Sequence, residues 1–209
     1  MKKMGIIAVL FLVMTSFHSG SGDFVGVIKI KHKYKDLEGK DITARLAPYL
    51  GKEWEYYIDD KNYKSVNESG NWVQLYNGET NLYYSFMKEK KASKYDAGAT
   101  SSSKFEVTYL DRKEKVAGYL CDIMKVETDN QTTLYYYSKE VRTNPENFAN
   151  HNFGNWNQYL KAADGGITLK FELTDHKNKF IWIATATSVK PMALTASDFE
   201  FPEGYSVAE

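Results

Sequence analysis

The segment GITLKFELTD, residues 166–175, alternates apolar Ile167, Leu169, Phe171 and Leu173 with polar Thr168, Lys170 and Glu172. A period of two sends the two sets to opposite sides of an extended chain. The segment therefore suits a β-strand with one face buried, and not a helix, whose faces repeat every 3.6 residues. The same pattern recurs near the start, in FVGVIKIKHKY at 24–34. There Ile28, Ile30, His32 and Tyr34 share one face, and Lys29, Lys31 and Lys33 the other. Between them, EWEYYID, NYKSVNE, NWVQLYN and TNLYYSFM are punctuated by DDKN, ESGN and NGE, each rich in tight-turn residues. KFEVTYL, AGYLCDIMKVET and TTLYYYSK continue the series, with Asp129–Asn130 as a predicted hairpin tip. Short strands at this spacing predict an antiparallel sheet or open barrel.

Three segments break the pattern. DITARLAPYLG spaces Ile42, Leu46 and Tyr49 or Leu50 for a short helix, with Asp41 as its cap, ending near Ala47 because of Pro48. ENFANHNFGNWNQYLKAAD places Phe148, Asn152 or Phe153, Trp156, Tyr159 or Leu160, and Ala163 at three- and four-residue steps. That predicts an amphipathic helix laid on the sheet, weakest at Gly154. Residues 88–104, polar and lysine-rich, read as a mobile loop. KFIWIATATSV, residues 179–189, is apolar on both faces near its start, which predicts cover on both sides of the sheet there. ALTASDFEFPEGY reads as a last edge strand ending at Pro202.

The first residues, MKKMGIIAVLFLVMTSFHSGSGD, give two lysines, an apolar run from Ile6 to Met14 and then small polar residues. This is the order of a secretory signal, with cleavage expected after Ser21. The run is shorter than the roughly 20 apolar residues of a membrane span. The reading is a signal peptide at 1–21 and one β-rich domain at 22–209. No cysteine stands near the cleavage point to carry a lipid, and the mature chain has no integral membrane segment. Periplasmic or secreted localisation follows.

Catalytic signatures are missing. Lys+Arg 27 and Asp+Glu 27 cancel, so no basic surface awaits nucleic acid. His32, His151 and His176 lie in unrelated segments without metal-ligand spacing. The Asp59–Asp60 pair belongs to a turn. The single cysteine, Cys121, alternates with Tyr119 and Ile123 on an apolar face, where a thiol acts as a small hydrophobe. No catalytic residue, cofactor or metal is assigned. The surplus is aromatic, at 15% of residues. Trp54, Tyr56, Tyr84, Phe86, Tyr135, Tyr137 and Trp182 all fall in predicted strands. Ordinary core packing explains such residues as well as a pocket does. The functional reading is a concave, aromatic-lined pocket between sheet and helices, with Trp54, Tyr56, Tyr84, Phe86, Met124, Tyr135 and Trp182 as candidate ligand contacts.

Three stretches carry a resemblance. KEWEYYIDDKNYKSVNESG resembles a Tyr-rich two-strand unit. KVAGYLCDIMKV resembles the G-Y-x-C centre of an uncharacterised exported-protein family, with Val116 where isoleucine is usual. SDFEFPEGY resembles that family's closing segment. Over residues 24–205 the architecture is similar to the lipoprotein carriers of the LolA/LolB type. The resemblance implies a mainly β (α+β) fold, a curved antiparallel half-barrel sheet with one or two covering helices, and a lipid or acyl ligand. None of Arg45, Arg112 or Arg142 aligns with the gating arginine of those carriers. The leading expectation is a non-enzymatic carrier for a hydrophobic ligand. The alternatives are an envelope module that binds a protein partner without a small ligand, and a hydrolase of envelope material.

Overall fold

A computed structural model describes residues 22–100 and 102–208. The predicted signal segment at 1–21 lies outside them. The chain forms β1 (Gly26–Asp36), α1 (Thr43–Leu50), β2 (Glu53–Ile58), β3 (Tyr63–Asn67), β4 (Trp72–Asn77) and β5 (Leu82–Phe86). Next come β6 (Lys91–Asp96), β7 (Glu106–Val116), β8 (Tyr119–Glu127), β9 (Gln131–Arg142) and α2 (Trp156–Ala162). β10 (Gly166–Asp175), β11 (Phe180–Pro191) and β12 (Ser206–Val207) complete it. All twelve strands join one open sheet in the order β12-β6-β5-β4-β3-β2-β1-β11-β10-β9-β8-β7. Strands consecutive in the chain pair antiparallel within β1–β6 and within β7–β11, and β1 pairs antiparallel with β11 to join the two halves. Only β12 runs parallel to its neighbour, β6. The fold is thus mainly β, as expected.

Period two does what it predicted in β1 and β2. Ile28, His32 and Tyr34 are buried while Lys29, Lys31 and Lys33 are exposed. Opposite them, Tyr56 and Ile58 are buried. The register sets Ile28 against Tyr56 and Ile30 against Trp54 on one face. On the other face Lys29–Glu55 (2.6 Å) and Lys31–Glu53 (3.2 Å) form ion pairs. Such exposed pairs are screened by water and contribute little, so burial of the aromatic face dominates.

The opposing strands β3 to β6 carry a tyrosine row. Tyr63 stands opposite Tyr76, Tyr76 opposite Tyr83, and Tyr83 opposite Tyr95. The 145–163 segment docks on this row. His151 stacks on Tyr76 (4.1 Å between ring centres) and accepts or donates a hydrogen bond with Tyr63 Oη at 2.7 Å. Phe153 stacks on Tyr83 at 4.6 Å. The segment is not the single amphipathic helix expected. It is a turn at Pro145–Phe148, a second at Phe153–Asn155, and the seven-residue α2. Gly154 and Asn155 take φ of +64° and +58°, which a right-handed helix excludes. Asparagine amides bond backbone here: Asn157 Nδ2 donates to Ala149 O within the segment (3.2 Å), and Asn152 Nδ2 donates to Gly98 O (2.8 Å), which ties the segment to the turn after β6. Asparagine competes with helical hydrogen bonding in this way.

Four other expectations change. The stretch at 88–104 contains β6, whose lysines and exposed side chains suit a strand near the sheet's rim. α1 runs past Pro48 to Leu50. The proline removes one hydrogen bond, to the carbonyl of exposed Ala44, where water is available. Tyr34 Oη then fixes the helix end by donating to the carbonyls of Leu50 and Gly51. The N-cap is Ile42, not Asp41; Asp41 stands one residue earlier and accepts from the first helical N–H, that of Thr43, at 2.7 Å. Phe180–Ile183 in β11 are half-buried on both faces and not fully covered. The last edge strand follows Pro202 instead of ending at it. The FEF residues pack face-on: Phe199 is buried, and Phe201 lies 5.0 Å from Tyr84 and 5.6 Å from Phe86. The second cover of the sheet therefore exists, but over β4 and β5.

KVAGYLCDIMKV is the β7–β8 hairpin. Ala117 and Gly118 form its two-residue turn with φ of +49° and +96°. Two successive positive φ values match the twist of the flanking strands, which makes this a hairpin-specific turn. Gly118 is there for its backbone angle, since a Cβ would meet nothing within 4 Å.

Candidate functional site

A cavity of about 220 Å³ lies on the inner face between the sheet and α2. The alternation of β1 and β2 points Ile30, His32, Trp54 and Tyr56 into its wall. β10 adds Ile167, Leu169 and Phe171, β11 adds Ala184, and β9 adds Tyr135. Trp156, at the first position of α2, closes the wall on the helix side, and Ser65 and Gln74 are polar contributions from β3 and β4. A strand bulge at Thr168–Lys170 changes the pairing of β10 with β9, and the residues on both sides of it reach the cavity.

The aromatic end of the wall is tightly braced. His32 lies 4.4 Å from Trp54 and 5.5 Å from Trp182, ring centre to ring centre. Trp182 contacts Trp54 edge-on at 5.5 Å and Phe171 at 5.1 Å. Its indole N–H donates to His32 Nδ1 at 2.9 Å. Burial lowers the His32 pKa to about 4, so the ring is neutral at physiological pH. Burial likewise raises Tyr56 and Tyr159 well above the usual phenol range. The wall is consequently uncharged except for Lys170, whose ammonium is held at 2.9 Å from both Glu114 and Glu172.

Of the seven candidate contacts, Trp54, Tyr56 and Tyr135 line this cavity. Trp182 stands behind it as the brace of His32. Met124 is fully buried and pairs across the ladder with Tyr135. Tyr84 and Phe86 lie apart, on the outer face, where they pack on Phe201 and Tyr205 of the C-terminal segment. Their neighbour Tyr83 faces the inner side, where Phe153 stacks on it. His32, Trp156 and Phe171 belong to the wall and were not among the candidates. Alternation in β1 and β10 carries the signal for His32 and Phe171. Trp156 was legible as a sheet-facing residue of the predicted helix, but its place in the cavity wall depends on the break at Gly154–Asn155.

Other reactive groups are spoken for. Cys121 is buried within the core, and burial, with help from nearby acids, pushes its thiol up to about 11. His151 is buried against Tyr63, and His176 bonds Thr132 at the far turn. Among the described residues no group of three His, Cys, Asp or Glu side chains is placed to hold a metal ion, and no helix is long and apolar enough to cross a membrane. A second, more polar cavity of about 300 Å³ lies beside the Asp129–Asn130 tip and shares Tyr135 as a wall.

No curated protein matches the chain. Among solved structures, PNGF-II is similar at 14% identity and a TM-score of 0.48 over 87% of this chain, which spans 30% of PNGF-II. MucB is similar at 10% identity and a TM-score of 0.41, over 86% of this chain and 58% of MucB. A LolA superfamily protein from Nitrosomonas europaea has 9% identity and a TM-score of 0.37, over 87% of this chain and 92% of its own length. In sequence, residues 24–205 match a domain of unknown function, DUF4412, and the chain belongs to that family.

Proposed function

We propose that the protein is an exported, non-catalytic carrier that holds a hydrophobic, lipid-like ligand in the cavity between the sheet and α2. Residues 22–209 form the mature domain in this reading. The observation that carries it is the wall itself, a contiguous set of aromatic and aliphatic side chains with no free charge. Apolar walls with a few placed polar groups are what small-molecule sites have in common. At about 220 Å³ the cavity is smaller than the roughly 300–1,000 Å³ of sites that bury drug-sized ligands. It suits one acyl chain, not a two-chain lipid, without widening. His32, Trp54, Tyr56, Tyr135 and Trp156 are the proposed contacts. Native mass spectrometry after mild extraction tests the reading. Protein carrying a lipid-sized adduct supports it. Repeated recovery of empty protein that also fails to take up added amphiphile would sink it.

A further inference from the structure

The cavity wall contains more than apolar rings. His32 Nε2, Tyr56 Oη and Trp156 Nε1 are all buried, and none has a hydrogen-bonding partner in the protein. Trp54 Nε1 is a fourth, but it is turned toward Gly51, 2.6 Å from where a Cβ would stand, so it is set aside. An indole nitrogen only donates. The Trp182 bond therefore makes His32 Nδ1 the acceptor and leaves the proton of the neutral ring on Nε2. The three groups are then an imidazole N–H, an indole N–H and a phenol O–H. Each can donate, and buried polar groups in proteins are rarely left unpaired. Three in the wall of one cavity call for an acceptor.

Charge decides which acceptor. The only cation lining the cavity is Lys170, and Glu114 and Glu172 already hold its ammonium. The charged group whose field reaches His32 is Glu68, an acid. An incoming carboxylate would be desolvated without a free counter-ion, at high cost. An uncharged oxygen escapes that cost. Building on the carrier reading, we propose that His32, Tyr56 and Trp156 select a single-chain ligand bearing an uncharged acyl carbonyl, an ester or amide, over both the plain alkane and the carboxylate. The donor atoms have no open surface in the empty cavity, so the ligand's oxygen reaches them as Tyr56 and Trp156 shift and uncover them, with His32 still held by Trp182.

Three of the four tryptophans, Trp54, Trp156 and Trp182, lie in or against this wall, so intrinsic fluorescence reports occupancy. The purified protein, stripped of bound lipid, is titrated with methyl decanoate, decanamide, decane and sodium decanoate. Ester and amide are expected to bind at least about tenfold more tightly than decane and decanoate, as sites built to hydrogen-bond a group discriminate strongly against analogues that lack it. Tyr56→Phe is expected to weaken ester binding more than decane binding, and so to shrink the ester-over-decane ratio. Equal affinity for decane and ester overturns the selectivity but leaves the carrier reading standing. Preference for decanoate overturns the uncharged head group. Binding of none of the four overturns both readings. A Tyr56→Phe variant that keeps the full ester preference removes Tyr56 from the selecting set.

Discussion

His32 and His151 show how one residue type is put to two structural uses by its place in the sheet. Each ring is buried and neutral, with its pKa lowered to about 4 in His32 and about 3 in His151, mainly by loss of water. In the unfolded chain both return to the ordinary value of 6.5. Between those values the unfolded state binds more protons than the folded one, so stability rises with pH across that window. The histidine contribution is complete above about pH 6.5 and is lost as pH falls through 4 toward 3. Urea unfolding at pH 7 and pH 4.5 is expected to show a clearly lower midpoint at the acid value. His151→Gln is expected to flatten that difference while lowering the midpoint at pH 7, because the ring stacks on Tyr76 and bonds Tyr63. Cys121, by contrast, has no chemistry to offer. Its thiol is buried and held protonated.

At the scale of elements, the connections decide more than the strands. α2 is short because Gly154 and Asn155 turn the chain left-handed just before it. That turn also brings Trp156 to the cavity. After α2 the chain reverses through Asp164 and Gly165, with φ of +51° and +77°. A Cβ on Gly165 would stand 2.2 Å from the carbonyl oxygen of Thr143, whose own N–H donates to Gly165 O at 2.9 Å. Gly118 has a positive φ as well, but open space around it. Gly165→Ala is therefore expected to destabilise by more than about 2 kcal/mol, and Gly118→Ala by about 1 kcal/mol, the cost of backbone angle alone. Thermal or urea denaturation of the two variants separates a steric clash from a conformational cost. Equal effects would contradict the close approach at Gly165.

For the whole molecule, the sheet's curvature makes the site possible. The seven-residue α2 is only about 10 Å long, yet Trp156 at its start shares the cavity wall with Trp54 of β2, and the carbonyl of Ala162 at its end accepts from Tyr109 Oη of β7 at 2.9 Å. Six strand spacings separate β2 from β7, roughly 28 Å in a flat sheet, so the sheet curls around the helix. Curling gives the concave face that α2 and the 145–155 segment fill in part, leaving the cavity. The outer face needs its own cover, and the C-terminal segment supplies it. Phe199 is buried, Phe201 and Tyr205 pack on Tyr84 and Phe86, and Trp72 adds to the cluster. Truncation before Thr195 is expected to lower the melting temperature and to raise binding of a hydrophobic dye, since it uncovers a contiguous aromatic patch. A truncated chain with unchanged dye binding would show that this patch is closed in another way.

Most of the strands were legible in the sequence. Period two in β1 and β10 reports which side chains share a face, and a half-buried antiparallel sheet requires that alternation. The turn at Asp129–Asn130 was legible because tight turns demand particular residues; the one at Ala117–Gly118 was not, because alanine seldom takes the positive φ it adopts there. Part of the site was legible from the same period of two: Trp54 and Tyr56 alternate with Glu53 and Glu55 on β2, so their shared face could be read. Adjacent aromatics in LYYSF defeated that logic. Parity alone cannot say whether Tyr83 or Tyr84 faces inward when both faces end up covered. Helix length, the order of the sheet and the join between β1 and β11 depend on contacts between residues far apart in the chain. So does the cavity, a space bounded by β1, β2, β9, β10, β11 and α2 at once. Local pattern fixes which side of a strand is apolar; only the curl of the whole sheet fixes where those sides meet and where they leave room.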